Sequence, residues 1–101
     1  MSRAGDALRE AAGLVDGERD RCHGSKVGNF GNIARLWSAY LNRHITAKDV
    51  ALMMTLLKVA RTKSGDHNAD DYIDMAGYAG CGLELAEWEE RNSYGRSSEI
   101  S

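Results

Sequence analysis

The chain has 101 residues with no proline, eleven glycines and a 43% hydrophobic share. That suits one small domain and excludes a second catalytic domain, since chains divide into separate cores only well beyond this length. Thirteen Lys and Arg stand against fifteen Asp and Glu for a formal charge of −2, so the broad basic field of a general nucleic-acid coat is missing. The longest apolar stretch is interrupted by Lys58 and Arg61 and falls short of the roughly 20 residues that a bilayer span needs. The polar N-terminus lacks a signal-peptide core, and a cytoplasmic chain without a membrane segment is expected. Cys22 and Cys81 are too few for a disulfide framework and read as small core residues.

Without proline, and rich in Ala, Leu, Met, Glu, Lys and Arg, the sequence reads as helices punctuated by glycine. The first helix is predicted from about Asp6 to Arg21, with Leu8, Ala11, Ala12 and Val15 on one stripe. A loop over His23–Gly28 follows. A second helix of about fifteen residues is carried by Phe30, Ile33, Ala34, Trp37, Tyr40 and Leu41 at helical spacing. The third has the best start signal, Thr46 followed three residues later by Asp49, with Ile45 and Val50 placed for a hydrophobic staple. From Val50 to Ala60 it is apolar nearly all round, which makes it the central helix and assigns part of its surface to a second subunit.

Thr62–Asn68 has loop composition, and Asn68 repeats the start signal with Asp71. The fourth helix is predicted from about Ala69 to Glu90. Gly77, Gly80 and Gly82 inside it each cost about 1 kcal/mol in a helix interior, so close approach of another helix is expected to compensate; the alternative is a break near Gly80. Residues 1–91 form a single helical domain in this reading, and the polar, Ser-rich 92–101 a tail.

Three acids, Asp70, Asp71 and Asp74, crowd the start of the fourth helix, while Thr55, Lys58 and Arg61 form a polar ridge on the third. One reading has the acids holding Mg²⁺ while Lys58 and Arg61 take phosphate oxygens. The other has them serving the helix dipole and cap, neutralised by the two cations. Asp74 lies a turn further in, where the dipole benefit has faded, and is the sharper candidate for chemistry. His23, His44 and His67 have no metal-site spacing with the cysteines, and no phosphate-binding glycine loop or activated nucleophile is recognisable. Met53, Met54, Trp37, Tyr40, Tyr72 and Tyr78 read as core more readily than as a stacking pocket.

The segments DVALMMTLLKVAR (49–61) and NADDYIDMAGY (68–78), preceded by Arg19-x-x-x-His23-Gly24 and Ile33-Ala34-x-x-Trp37, resemble a family of small bacteriophage and prophage proteins over roughly residues 15–85. That family is distantly similar to the MazG-like all-α nucleotide pyrophosphohydrolases, whose helices pack as dimers or tetramers and whose acids bind Mg²⁺ and a nucleoside triphosphate. The MazG-like pattern pairs an ExxE helix with an ExxD helix. Only Asp71-x-x-Asp74 matches, and the third helix carries Met53, Met54, Leu57 and Lys58 where the first pair would stand. Such a loss of carboxylates favours a nucleotide-binding or protein-binding descendant over a competent hydrolase.

The resulting expectation is an all-α, MazG-like arrangement of four helices, with the third and fourth as a central antiparallel hairpin, completed as a homodimer. The expected function is that of a phage-type accessory protein binding a nucleotide or related phosphate ligand at Lys58, Arg61, Asp71 and Asp74, with His23 and Asn29 completing the pocket. Asp71 and Asp74 are the Mg²⁺ candidates, and the reaction implied in the catalytic case is cleavage of a nucleoside triphosphate to the monophosphate. The alternative is a phage-encoded inhibitor of a host defence system that binds a host protein and has no catalysis.

Overall fold

The computed structural model describes residues 2–17 and 25–92. Among them it is all helical, with four helices and no strand: α1 (Arg3–Asp16), α2 (Lys26–Leu41), α3 (Ala47–Arg61) and α4 (Ala69–Asn92). Of the residues singled out in the sequence, Cys22 and His23 lie outside the described residues, as does the expected tail beyond Asn92.

Local signals account for each start. α1 begins ahead of the expected Asp6 because the Ser2 hydroxyl accepts from the Gly5 N–H at 3.0 Å. α2 likewise begins inside the segment expected as loop: Ser25 is its N-cap and accepts from the Gly28 N–H at 3.0 Å. A serine cap satisfies an amide that the helix itself leaves open, and Ser25 supplies it just ahead of two glycines that read as loop formers. α3 starts as expected, with both arms of the capping box formed: the Asp49 N–H donates to Thr46 Oγ1 at 3.1 Å and the Thr46 N–H to Asp49 Oδ2 at 3.0 Å. α2 ends at Asn42 in the left-handed region, φ 55°, a conformation asparagine tolerates better than most residues. Ser38 then fastens the connection, its hydroxyl accepting from the Ile45 N–H at 2.8 Å.

α3 and α4 form the antiparallel hairpin. Gly65, φ 73°, lies in the loop between them. Arg61 and Lys58 near the end of α3 meet Asp71 and Asp74 near the start of α4, whereas the Lys48 N–H at the start of α3 donates to Glu89 Oε1 near the end of α4, at 3.2 Å. The contacts run in opposite directions along the two helices, as antiparallel packing requires. α4 passes through all three of its glycines without a break.

Two of those glycines have the close neighbour the sequence called for. A Cβ on Gly82 would meet Leu52 of α3 at 3.6 Å, and one on Gly77 would meet Val15 of α1 at 3.5 Å. Gly80 departs from the expectation, because nothing lies within 4 Å of its Cβ position. α1 therefore packs on α4 at Gly77, and α2 leans on the same helix through an edge-on contact of Phe30 with Tyr78, ring centroids 6.4 Å apart. Ala51, Cys81 and Leu85 form the buried cluster at the hairpin, with Val15, Val27, Phe30 and Ala47 packed around it. Cys81 is the small core residue expected; Tyr40, Tyr72 and Met53 are not core, standing exposed at 88%, 54% and 37%.

Candidate functional site

α1 and α2 sit against the same side of the hairpin, and between them opens a cavity of about 430 Å³. This falls in the range of small-molecule sites, roughly 300–1,000 Å³. Leu14 and Val15 of α1 form one wall. Lys26, Asn29, Phe30 and Ile33 of α2, spaced so that one helical stripe faces inward, form the other. Ile73, Asp74, Gly77, Tyr78 and Cys81 of α4 lie along the floor with Met54 of α3. The lining is mainly apolar, with a few polar groups set in it.

Asp74 is the acidic group of that lining. Its Oδ2 is 3.0 Å from Lys58 Nζ, and both side chains are largely shielded. Lys58 itself reaches Asp74 from α3 and does not line the cavity. Asp71, one turn earlier, is buried at 6% exposure and lies 3.6 Å from Nε of a largely exposed Arg61. The four predicted residues Lys58, Arg61, Asp71 and Asp74 are thus brought together as two adjacent cation–carboxylate pairs bridging α3 and α4. Thr55, the third member of the polar ridge, donates to the Ala51 carbonyl of its own helix at 2.9 Å.

Asn29 of α2 is on the opposite wall. The sequence reading missed Lys26, Phe30, Ile33, Leu14 and Val15. Helical spacing already puts Val15, Phe30 and Ile33 on apolar stripes without showing that they share a cavity, whereas a loop over residues 23–28 conceals that Lys26 continues the α2 stripe of Asn29, Phe30 and Ile33. His44 lies in the exposed connection before α3, and His67 lies beside Tyr72 with ring centroids 6.0 Å apart. Among the described residues no group of three or more His, Cys, Asp or Glu comes together to hold a metal ion, and no helix is long and apolar enough to cross a membrane.

Chemically, the arrangement offers a slot for a flat or apolar group. Hydrogen-bonding capacity stands at two of its sides: the Asn29 amide on α2, and the Asp74 carboxylate and Tyr78 hydroxyl on α4. Beside Asp74, Lys58 and Arg61 supply positive charge already partnered by acids, so an anion arriving there would exchange partners with a carboxylate rather than meet a bare cation.

Residues 6–86 match a family described as a domain of unknown function, DUF6378. The chain is 47% identical to the Gene 55 protein of Mycobacterium phage D29 over 74 residues, 73% of this chain and 49% of that protein. It is 39% identical to the Gene 55 protein of Mycobacterium phage L5 over 88 residues, 86% of this chain and 56% of that protein. The chain spans about half the length of these curated relatives. No solved structure matches it.

Proposed function

The chain belongs to the DUF6378 family, with relatives among phage proteins, and from that premise we propose that it is a phage accessory protein that binds a nucleotide in the cavity between α1, α2 and α4. The observation that carries this reading is the pairing of a mainly apolar slot of about 430 Å³ with Asp74 on its floor and Lys58 clasped to that carboxylate at 3.0 Å. The base lies in the slot against Phe30 and Ile33, with Asn29 and Asp74 at its polar edge. The phosphates extend past Asp74 toward its partner Lys58 and the neighbouring Arg61.

Mg²⁺ belongs to this reading as the ion that a nucleoside triphosphate carries on its own phosphates, beside Asp71 and Asp74. Each carboxylate is held by a cation, so this reading places the ion on the nucleotide's phosphates rather than in a resident site. Magnesium sites of one or two carboxylates are completed by substrate phosphates and water. Binding without hydrolysis is accordingly the main proposal. A MazG-like arrangement completed by a second copy, acting in the host cytoplasm, belongs to the same reading.

The test is thermal melting of the chain with a panel of nucleotides, each with and without Mg²⁺. A ligand at 100 times its Kd adds about 2.7 kcal/mol of stability. The proposal requires a clear rise for at least one nucleotide and its loss in Asp74→Asn. No rise with any nucleotide would reject it. Pyrophosphate release that survives Asp74→Asn would remove Asp74 from a catalytic role.

A second reading is an inhibitor that binds a protein of the host's defences. It is favoured by apolar side chains left exposed on α2, Leu36 at 64% and Tyr40 at 88%. Its test is whether Leu36→Glu abolishes a defence-blocking phenotype while nucleotide-dependent melting shifts persist.

A further inference from the structure

Asp74 lines the cavity, whereas Lys58, which reaches it at 3.0 Å, does not. Arg61 pairs with Asp71 one turn earlier on α4 and likewise stands outside the lining. Asp74 is therefore the boundary between the apolar slot and the two cations. A ligand that joins a ring held against Phe30 and Ile33 to phosphates near Lys58 and Arg61 has to pass this carboxylate. In a nucleotide, the part that joins ring to phosphates is the sugar.

A carboxylate paired with an ammonium group accepts hydrogen bonds and cannot donate them, and its two oxygens offer about four acceptor positions. Lys58 approaches Oδ2, which leaves acceptor capacity on Oδ1. The same lysine offsets the negative charge, so phosphates can lie beyond it. The Asp74 side chain is only 28% exposed, and a shielded acceptor gains most from a donor that the ligand brings. A ribose supplies two neighbouring donors there, its 2′- and 3′-hydroxyls. A 2′-deoxyribose keeps one.

We propose that Asp74 reads the sugar, accepting the 2′-hydroxyl of a ribonucleotide, so that the cavity selects ribonucleotides over 2′-deoxyribonucleotides. The inference rests on the nucleotide reading above and deepens it: it names the class of sugar and leaves the base open. Sites built around a substrate hydroxyl reject the analogue that lacks it, because their own polar group is then left without its partner. The size of the effect follows from the setting of Asp74. Lys58 stays bound to the carboxylate and some water still reaches it, so the discrimination is that of one hydrogen bond to a charged group, about tenfold to a hundredfold in Kd.

The experiment is isothermal titration calorimetry of the full chain, in the presence of Mg²⁺, with ATP, GTP, CTP and UTP and with the 2′-deoxy and 2′-fluoro-2′-deoxy counterpart of each. The fluoro sugar keeps a ribose-like pucker and an electronegative atom at the 2′ position but has no hydrogen to donate. For each base that binds, Kd is expected to rise about tenfold to a hundredfold in both the 2′-deoxy and the 2′-fluoro form. Asp74→Asn, followed to millimolar nucleotide, should show a smaller ratio between the sugars. Where that variant binds too weakly to be followed, the wild-type fluoro series carries the decision. Equal Kd values for ribo and 2′-deoxy forms, a 2′-fluoro form that binds like the ribonucleotide, or an undiminished ratio in Asp74→Asn overturns the sugar reading and leaves the nucleotide site standing. A wild type that binds no triphosphate of any sugar overturns both.

Discussion

Lys58 and Asp74 offer a quantitative test of how the hairpin is held. Their charged atoms are 3.0 Å apart with side chains only 16% and 28% exposed. At that distance and an effective dielectric of about 20, the bare attraction is roughly 5 kcal/mol. Desolvation and the ordering of a long lysine side chain cancel most of it, leaving a net coupling of about 1–2 kcal/mol. Lys58→Met alone leaves a carboxylate beside the apolar lining and should cost about 2–3 kcal/mol. Lys58→Met with Asp74→Asn should recover part of that. The internal control is Asp6–Arg9, closer at 2.7 Å but exposed at 46% and 59%, which should couple by only about 0.2–0.5 kcal/mol. Two double-mutant cycles by urea denaturation, followed by circular dichroism, measure both. The reasoning holds that shielding outweighs distance, so an Asp6–Arg9 coupling equal to or above that of Lys58–Asp74 would refute it.

Three further outcomes follow from the packing. Leu85→Ala, at a residue 1% exposed in the hairpin cluster, should cost about 2–5 kcal/mol, and a midpoint within error of wild type would mean that the cluster is not the core. Gly80→Ala meets nothing within 4 Å and should stabilise by about 0.5–1 kcal/mol through helix propensity, whereas Gly65→Ala at φ 73° should destabilise by about 1 kcal/mol; the two melting temperatures must move in opposite directions. Thr46→Ala removes one arm of the capping box and should cost about 0.5–2 kcal/mol, with a loss confined to a tenth of that contradicting the cap's role.

Signals that act within one turn were the most legible. Thr46 and Asp49 mark the start of α3, and the loop 62–68 with its glycine turns the chain back, so the hairpin and its facing charges follow from sequence alone. The start of α2 was misjudged because Ser25, a single hydroxyl, outweighs Gly28 and Gly31 once it satisfies an open amide. The cavity was legible only in its parts. Asn29 and Asp74 could be nominated singly, but that they face one another across a slot depends on how α1 and α2 straddle α4, and the local spacing of Leu14, Val15 and Phe30 carries no record of that. Exposure was the other hidden quantity. The all-round apolar character of α3 reads equally as burial within the chain or as an open face, and the positions of Leu52, Leu56 and Val59 decide for the open face in this chain.

A nucleotide seated between α1, α2 and α4 is located by a nitrogen–proton correlation spectrum of the labelled chain titrated with the nucleotide that gives the largest melting shift. Binding in the cavity should give saturable movement of the backbone signals of Val15, Asn29, Phe30, Asp74, Gly77 and Tyr78, with those of Leu56, Ala79 and Leu83 unmoved. Signals that stay in place at saturating nucleotide, or that move on the hairpin's outer face instead, would contradict it.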